Sequence, residues 1–175
     1  MTIRYGKIGA ILAFCSLIAG AIAGGATMAA AQDVAARSTA SRVVLTVSGP
    51  GGVGARDLTM ADLEAMPKAE IRTTTPWHDG VQHFEGVSLA ALMASLKLTG
   101  TQAQVVALNR YRTTIPMADF TEFKPILAYR RNGAPMEVRE KGPLFIIYPY
   151  DSSATLKTET YFSRSAWQVR SIGVE

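Results

Sequence analysis

Ile126-Leu127-Ala128-Tyr129-Arg130-Arg131-Asn132-Gly133-Ala134-Pro135-Met136, followed shortly by Gly142-Pro143-Leu144-Phe145-Ile146-Ile147-Tyr148-Pro149, is the stretch on which the fold turns. Asn-Gly between two extended segments is the strongest short-range hairpin signal, because both central residues of the favoured two-residue turn need positive φ. Ile126 to Arg131 is therefore expected as one strand, with a return strand through Met136 and Val138. Leu144 to Tyr148 is an apolar run too short for a helix, which predicts a buried central strand ended by Pro149.

Upstream, Val43, Leu45 and Val47 alternate with their neighbours, so an opening strand runs to Ser48 and breaks at Gly49-Pro50. The glycines of Gly51-Gly52-Val53-Gly54 read as a turn. No Lys-Ser or Lys-Thr follows them, as a phosphate loop would require. Thr59 with Asp62 three residues later signals a short helix carrying Leu63 and Met66 and stopped by Pro67. Glu70 to Thr75 is β-branched and extended. Pro76, His78-Asp79-Gly80 and Gly86 are expected as turns around a short strand near Gln82 to Phe84.

Ser88 can cap a second helix, in which Leu89, Leu92, Met93 and Leu96 share one face and Thr99-Gly100 closes the run. Val105 to Leu108 and Arg112 to Ile115 read as strands joined through Asn109-Arg110-Tyr111, and Pro116 opens a helical turn over Met117 to Phe123. Trp167, Val169, Ile172 and Val174 suggest a last strand whose apolar spacing changes phase near Ser171. Many short strands, two or three helices and no regular βαβ alternation predict an α+β domain with a mixed sheet.

The N-terminus runs from Arg4 and Lys7 through an uncharged segment, Ile8 to Ile22, to Ala29-Ala30-Ala31. That order is expected of a secretory signal peptide, residues 1–31, with cleavage after Ala31 and export to a bacterial periplasm. A membrane anchor is the rival, but Gly20, Gly24 and Gly25 dilute the run. Residues 32–41 form a polar, alanine-rich linker, and residues 42–175 are expected to be one domain. The net charge of +4 includes Arg4 and Lys7; without them 16 basic residues face 14 acidic ones. Those bases are scattered and no nucleic-acid motif accompanies them, so a nucleic-acid partner is not expected and a small anionic ligand suits the chain better. The one cysteine, Cys15, lies inside the signal segment. A mature chain without a thiol has no disulfide framework, thiolate zinc site, iron–sulfur cluster or cysteine nucleophile.

Several constellations carry candidate chemistry. His78 and His83 lie five apart beside Asp79 and Glu85, a spacing that fits no zinc pattern, so no metal site is expected there. Ser152, His78 and Asp151 could be drawn as a hydrolytic triad, but no nucleophile-elbow glycines surround the serine. Asn109-Arg110-Tyr111-Arg112 presents two guanidinium groups and a phenol on a turn, which suits a planar or anionic ligand; an ordinary hairpin turn is the alternative. Tyr148-Pro149-Tyr150-Asp151-Ser152-Ser153, with Lys157 beyond, puts polar groups at the end of a buried strand. Trp77 and Trp167 read as core or rim packing.

Four pieces, in order, resemble the molybdopterin-binding domain of the sulfite-oxidase-like oxidoreductases. Gly86-Val87-Ser88-Leu89 with Leu92 resembles that family's Gly-x-x-Leu-x-x-Leu helix start, and Asn109-Arg110-Tyr111 through Pro116 its Asp-Gly-Tyr turn and strand. Leu127 to Met136 resembles its Leu-Ala-x-x-x-Asn-Gly-x-Pro-Leu hairpin. Lys141-Gly142-Pro143-Leu144 to Tyr148-Pro149 resembles its Gly-x-Pro-x-x-x-x-x-Pro strand. The resemblance implies an α+β fold that cradles a pterin-bound molybdenum and, in active members, oxygen-atom transfer.

It also implies cofactor contacts at Thr74, Asn109, Arg110, Tyr111, Arg112, Lys141 and Lys157. The family's metal-ligating cysteine would fall before Trp77, where this chain has Thr73, Thr74 and Thr75; no metal ligand is assigned. A threonine hydroxyl is a poor substitute for a soft thiolate. Where the family often places a pterin-phosphate arginine, two residues past the proline, this chain has Phe145. Two functions are therefore expected as alternatives. One is a molybdopterin-type redox domain. The other is a non-catalytic module in the same fold that takes a small anion or docks onto a membrane protein partner such as a sensor or reductase subunit.

Overall fold

The computed structural model describes residues 42–175, so the expected signal peptide and linker lie outside the described residues. The described strands are β1 (Val43–Ser48), β2 (Arg56–Thr59), β3 (Lys68–Thr75), β4 (His78–Ser88), β5 (Gln102–Ala107), β6 (Arg112–Pro116), β7 (Ile126–Arg131), β8 (Ala134–Pro135), β9 (Phe145–Ile147) and β10 (Val169–Val174). Four short helices interrupt them: α1 (Met60–Glu64), α2 (Leu89–Ser95), α3 (Ala118–Glu122) and α4 (Glu159–Arg164). One sheet has the order β2-β1-β10-β5-β6; the other runs β3-β4-β7-β8, with β9 also on β7. Among the described strands only the β1–β10 pairing is parallel. The fold is α+β.

Period-two alternation explains how the central strands are buried on both faces. Leu127 and Tyr129 of β7 and Ile146 of β9 enter the larger core, which they share with Leu45, Val105, Ile115 and Ile172 from the first sheet. Their neighbours Ile126, Ala128, Phe145 and Ile147 enter a second cluster with Ile71 and Phe84, on the other face of the second sheet. Trp77 packs against both clusters.

Local signals hold where the chemistry is local. Thr59 and Asp62 form a capping box, and Ser88 caps α2. Asn132 and Gly133 take φ of 52° and 80°, as the hairpin turn demands. The phase change near Ser171 is a register shift in the β10–β5 ladder between Val169 and Ser171.

Four expectations need correction. The turn falls at Pro76-Trp77, not at His78-Asp79-Gly80, and β4 is an eleven-residue strand from His78. Gly80 sits within it at φ +71°. Gly86 is no turn either: a Cβ there would lie 2.1 Å from the Leu127 carbonyl oxygen, so glycine is required by the close approach of two paired strands. The return strand is only Ala134–Pro135, because the chain folds back into a turn of 3-10 helix at Val138–Glu140. The apolar run at Leu144 to Tyr148 is buried, but β9 pairs only with β7 apart from a single bridge from Phe145 to Trp167. Strand β2 and helix α4 had no anticipated counterpart.

Candidate functional site

Three features meet around the end of β3 and the Pro76-Trp77 turn. The first is a latch. The Asp151 carboxylate accepts the Thr74 backbone N–H at 2.6 Å and the Thr74 hydroxyl at 2.7 Å. In return the Asp151 backbone N–H donates to the Thr73 hydroxyl at 3.0 Å, and that hydroxyl donates to the Thr74 carbonyl at 3.2 Å. Lys157 closes the group with an ion pair to Asp151 at 2.7 Å. These donors, Lys157 first and Thr74 next, hold the Asp151 carboxyl well below the usual carboxylate range. Thr73 is fully buried.

The second feature is an aromatic wall. Trp77 meets Phe145 at 5.3 Å, Trp167 at 5.7 Å, Phe162 at 6.0 Å and Tyr150 at 6.2 Å between ring centroids. Against it opens a pocket of about 260 Å³ lined by Pro76, Trp77, Tyr111, Glu159, Phe162, Ser163, Ser165 and Trp167. Tyr111 is placed there by its turn. The Asn109 side-chain oxygen accepts the Tyr111 backbone N–H, Arg110 takes the left-handed φ of 69°, and the Tyr111 hydroxyl donates to the Ser163 carbonyl at 2.7 Å.

The third feature is a group of bases. Lys141, itself in the left-handed region at φ +72°, places Nζ 4.2 Å above the Trp167 ring centroid and 6.0 Å from that of Trp77. Burial, then the Arg131 charge, lowers the Lys141 pKa. Burial, then Arg131 and Lys141, pushes His78 down to about 4, with Glu140 pulling weakly the other way. His78 is thus neutral at physiological pH, its Nδ1 3.1 Å from the Thr75 hydroxyl.

The anticipated residues separate along these lines. Thr74 and Lys157 come together through Asp151, Tyr111 reaches the aromatic pocket, and Lys141 lies on the aromatic wall. Arg110 and Arg112 are exposed, with Arg112 opposite Val106 in the hairpin ladder. Trp77 and Trp167 do pack as rim residues, and they also line the pocket. Phe162, Glu159, Ser163 and Ser165 carry no sequence signal, because α4 begins without a side-chain cap that would mark it. Nothing in the local sequence sets Arg131 apart from the other scattered bases. Among the described residues no three His, Cys, Asp or Glu side chains gather as a metal-binding group.

The family model described as oxidoreductase molybdopterin binding domain matches residues 32–155. The chain belongs to this family. Among solved structures it is similar to the sulfane dehydrogenase SoxCD from Paracoccus pantotrophus, with a TM-score of 0.56 and 18% identity over 74% of this chain. That likeness is one of fold, and it spans 37% of the SoxCD chain. Comparison with curated proteins finds no match.

The metal centre of a molybdopterin cofactor does not fit the residues present at the threonine segment. Its soft-donor position is filled by hard hydroxyls, and those of Thr73 and Thr74 are already committed to Asp151 and the backbone.

Proposed function

We propose that the protein is an exported, periplasmic member of the molybdopterin-binding domain family that binds a small anion, or the phosphate end of a pterin, and carries no redox centre at Thr73 to Thr75. The observation that carries this reading is the placement of Lys141 over Trp167, close enough to Arg131 and His78 for their charges to interact, with His78 held neutral. Arg131 is paired with Glu140 at 3.7 Å, so Lys141, which has no ion-pair partner among the described residues, is the positive charge left in excess near an uncharged imidazole. An anion would relieve it by accepting charge-assisted hydrogen bonds. Arg110 and Arg112 flank Tyr111 and add positive charge on the hairpin turn, where Asn109 supplies a neutral amide.

The saturated latch at Thr73, Thr74 and Asp151 supports the second half of the proposal. A metal brought to that segment would have to displace a carboxylate that already holds three partners.

Purification from the periplasm of a molybdenum-replete host, with metal analysis and fluorescence of released pterin, tests both halves. Pterin without molybdenum is the expected result, or, if no pterin is carried, a thermal shift with phosphate or sulfite that disappears in Lys141→Met. Near-stoichiometric molybdenum would overturn the absence of a redox centre. No pterin, together with no shift for any oxyanion, would overturn anion binding.

A further inference from the structure

We propose that the pocket enclosed by Trp77, Phe162, Trp167 and Tyr111 is a binding site for a small organic cation of the quaternary ammonium class. This goes beyond the anion site at Lys141, which does not line the pocket.

Charge gives the first argument. The pocket's one charged lining residue is Glu159, and no basic side chain faces it. Two nearby bases are paired, Lys157 with Asp151 at 2.7 Å and Arg164 with Asp119 at 2.9 Å, and Lys141, which rests over Trp167, does not line the pocket. Glu159 has no ion-pair partner among the described residues. A carboxylate at the mouth of an aromatic cavity attracts cations and repels the anions expected of a pterin phosphate.

Ring geometry gives the second. Trp77 meets Phe162 at an interplanar angle of 76° and Trp167 at 68°. The rings are walls of a box in different planes, not the parallel faces that would sandwich a flat heterocycle. Tyr111 adds a further wall, fixed by its bond to the Ser163 carbonyl. Such an aromatic enclosure suits a compact cation attracted by ring quadrupoles.

The state of the polar lining atoms gives the third, and it disfavours an anion. The Ser163 hydroxyl donates to the Thr160 carbonyl at 2.8 Å, and its own carbonyl accepts from Tyr111. The Ser165 hydroxyl donates to the Tyr161 carbonyl at 2.8 Å and is also bonded to the Tyr150 hydroxyl. The hydroxyl protons of Ser163, Ser165 and Tyr111 are thus all committed, and the pocket offers no free hydroxyl donor to an anion. A trimethylammonium group brings charge together with an apolar surface that the rings can cover. The volume of about 260 Å³ is small for a ligand pocket, in keeping with a headgroup-sized guest.

Calorimetric titration of the full-chain protein with choline chloride and tetramethylammonium chloride tests the assignment, with sodium chloride at matched ionic strength as the blank. The neutral choline isostere 3,3-dimethyl-1-butanol is the comparison ligand. Saturable binding of both cations is expected, with the neutral isostere weaker by about tenfold. Glu159→Gln and Tyr111→Ala alter exposed positions; each is expected to weaken choline by roughly five- to tenfold, Glu159→Gln with an unchanged melting temperature and Tyr111→Ala with a somewhat lower one, because it loses the bond to the Ser163 carbonyl. The proposal is overturned if wild type shows no saturable cation binding up to about 50 mM, a range that covers affinities far weaker than millimolar. It is equally overturned if the neutral isostere binds as well as choline, or if both folded variants bind choline as wild type does.

Discussion

Asp151 Oδ1 accepts the Thr74 hydroxyl at 2.7 Å across 77 positions of sequence, tying the loop after β9 to the end of β3. The tie lies where the family resemblance would put a metal-ligating thiolate, so this chain spends on a polar latch the site that active relatives would give to metal. It also sets the position of the Pro76-Trp77 turn, from which the aromatic wall is built.

Asp151→Asn keeps the side chain's shape and removes its charge. Hydrogen bonds to charged groups contribute about 1.5–3 kcal/mol, but Asp151 is 35% exposed and its Lys157 pair is solvent-screened, so a loss of about 1 kcal/mol is expected in urea unfolding. The sign with pH follows from the lowered pKa. The latch contributes fully above the ordinary value of 3.8 and is lost as pH falls below it. The difference between wild type and variant should therefore shrink under acid; a constant difference down to the lowest pH measured would contradict the latch.

His78 should titrate near 4 when followed by NMR. Because that is below its unfolded value of 6.5, the unfolded chain binds the proton first, and stability declines as pH falls from about 6.5 towards 4. Lys141→Met removes one of the charges that depress it and should raise the His78 value. An unchanged titration would place Lys141 too far away to matter.

Gly86→Ala forces a methyl group against backbone atoms of Leu127 and Ala128. Overpacking of this kind costs about 1–3 kcal/mol, and since the obstacle is paired backbone that cannot rotate away, the upper end is expected in denaturant melts. Full tolerance would mean that β4 and β7 can separate locally without loss.

Tyr148 donates to Asp119 at 2.7 Å inside the core, and Arg164 binds the same carboxylate oxygen at 2.9 Å. Tyr148→Phe is expected to cost about 1–2 kcal/mol, the price of one lost partner for a buried charge. Arg164→Met leaves a carboxylate that is 5% exposed without its counter-ion, and about 3–5 kcal/mol is expected. Equal effects for the two variants in thermal or chemical unfolding would contradict this ordering.

The two kinds of information divide along physical lines. Turn chemistry, capping and alternation depend on neighbours within a few residues. Asn132-Gly133, Thr59 with Asp62, Ser88 and the out-of-phase spacing around Ser171 therefore announced their structures, and with them an α+β fold and the family. Residues brought together over long separations had no such signal. Gly86 reads locally as a turn and is in fact the point where two strands touch. Trp77 and Trp167 read as packing, and their second role exists only because Phe162, Glu159 and Tyr111 are folded against them. The sequence by itself determined that the described domain has no thiol to offer a metal, since composition is independent of conformation. Only the tertiary structure decided that Asp151 occupies the threonines, that the charges of Arg131 and Lys141 act on His78, and that an acid lines the aromatic pocket. Charge and hydrogen-bond partners act over a few ångströms in space, whatever their distance along the chain.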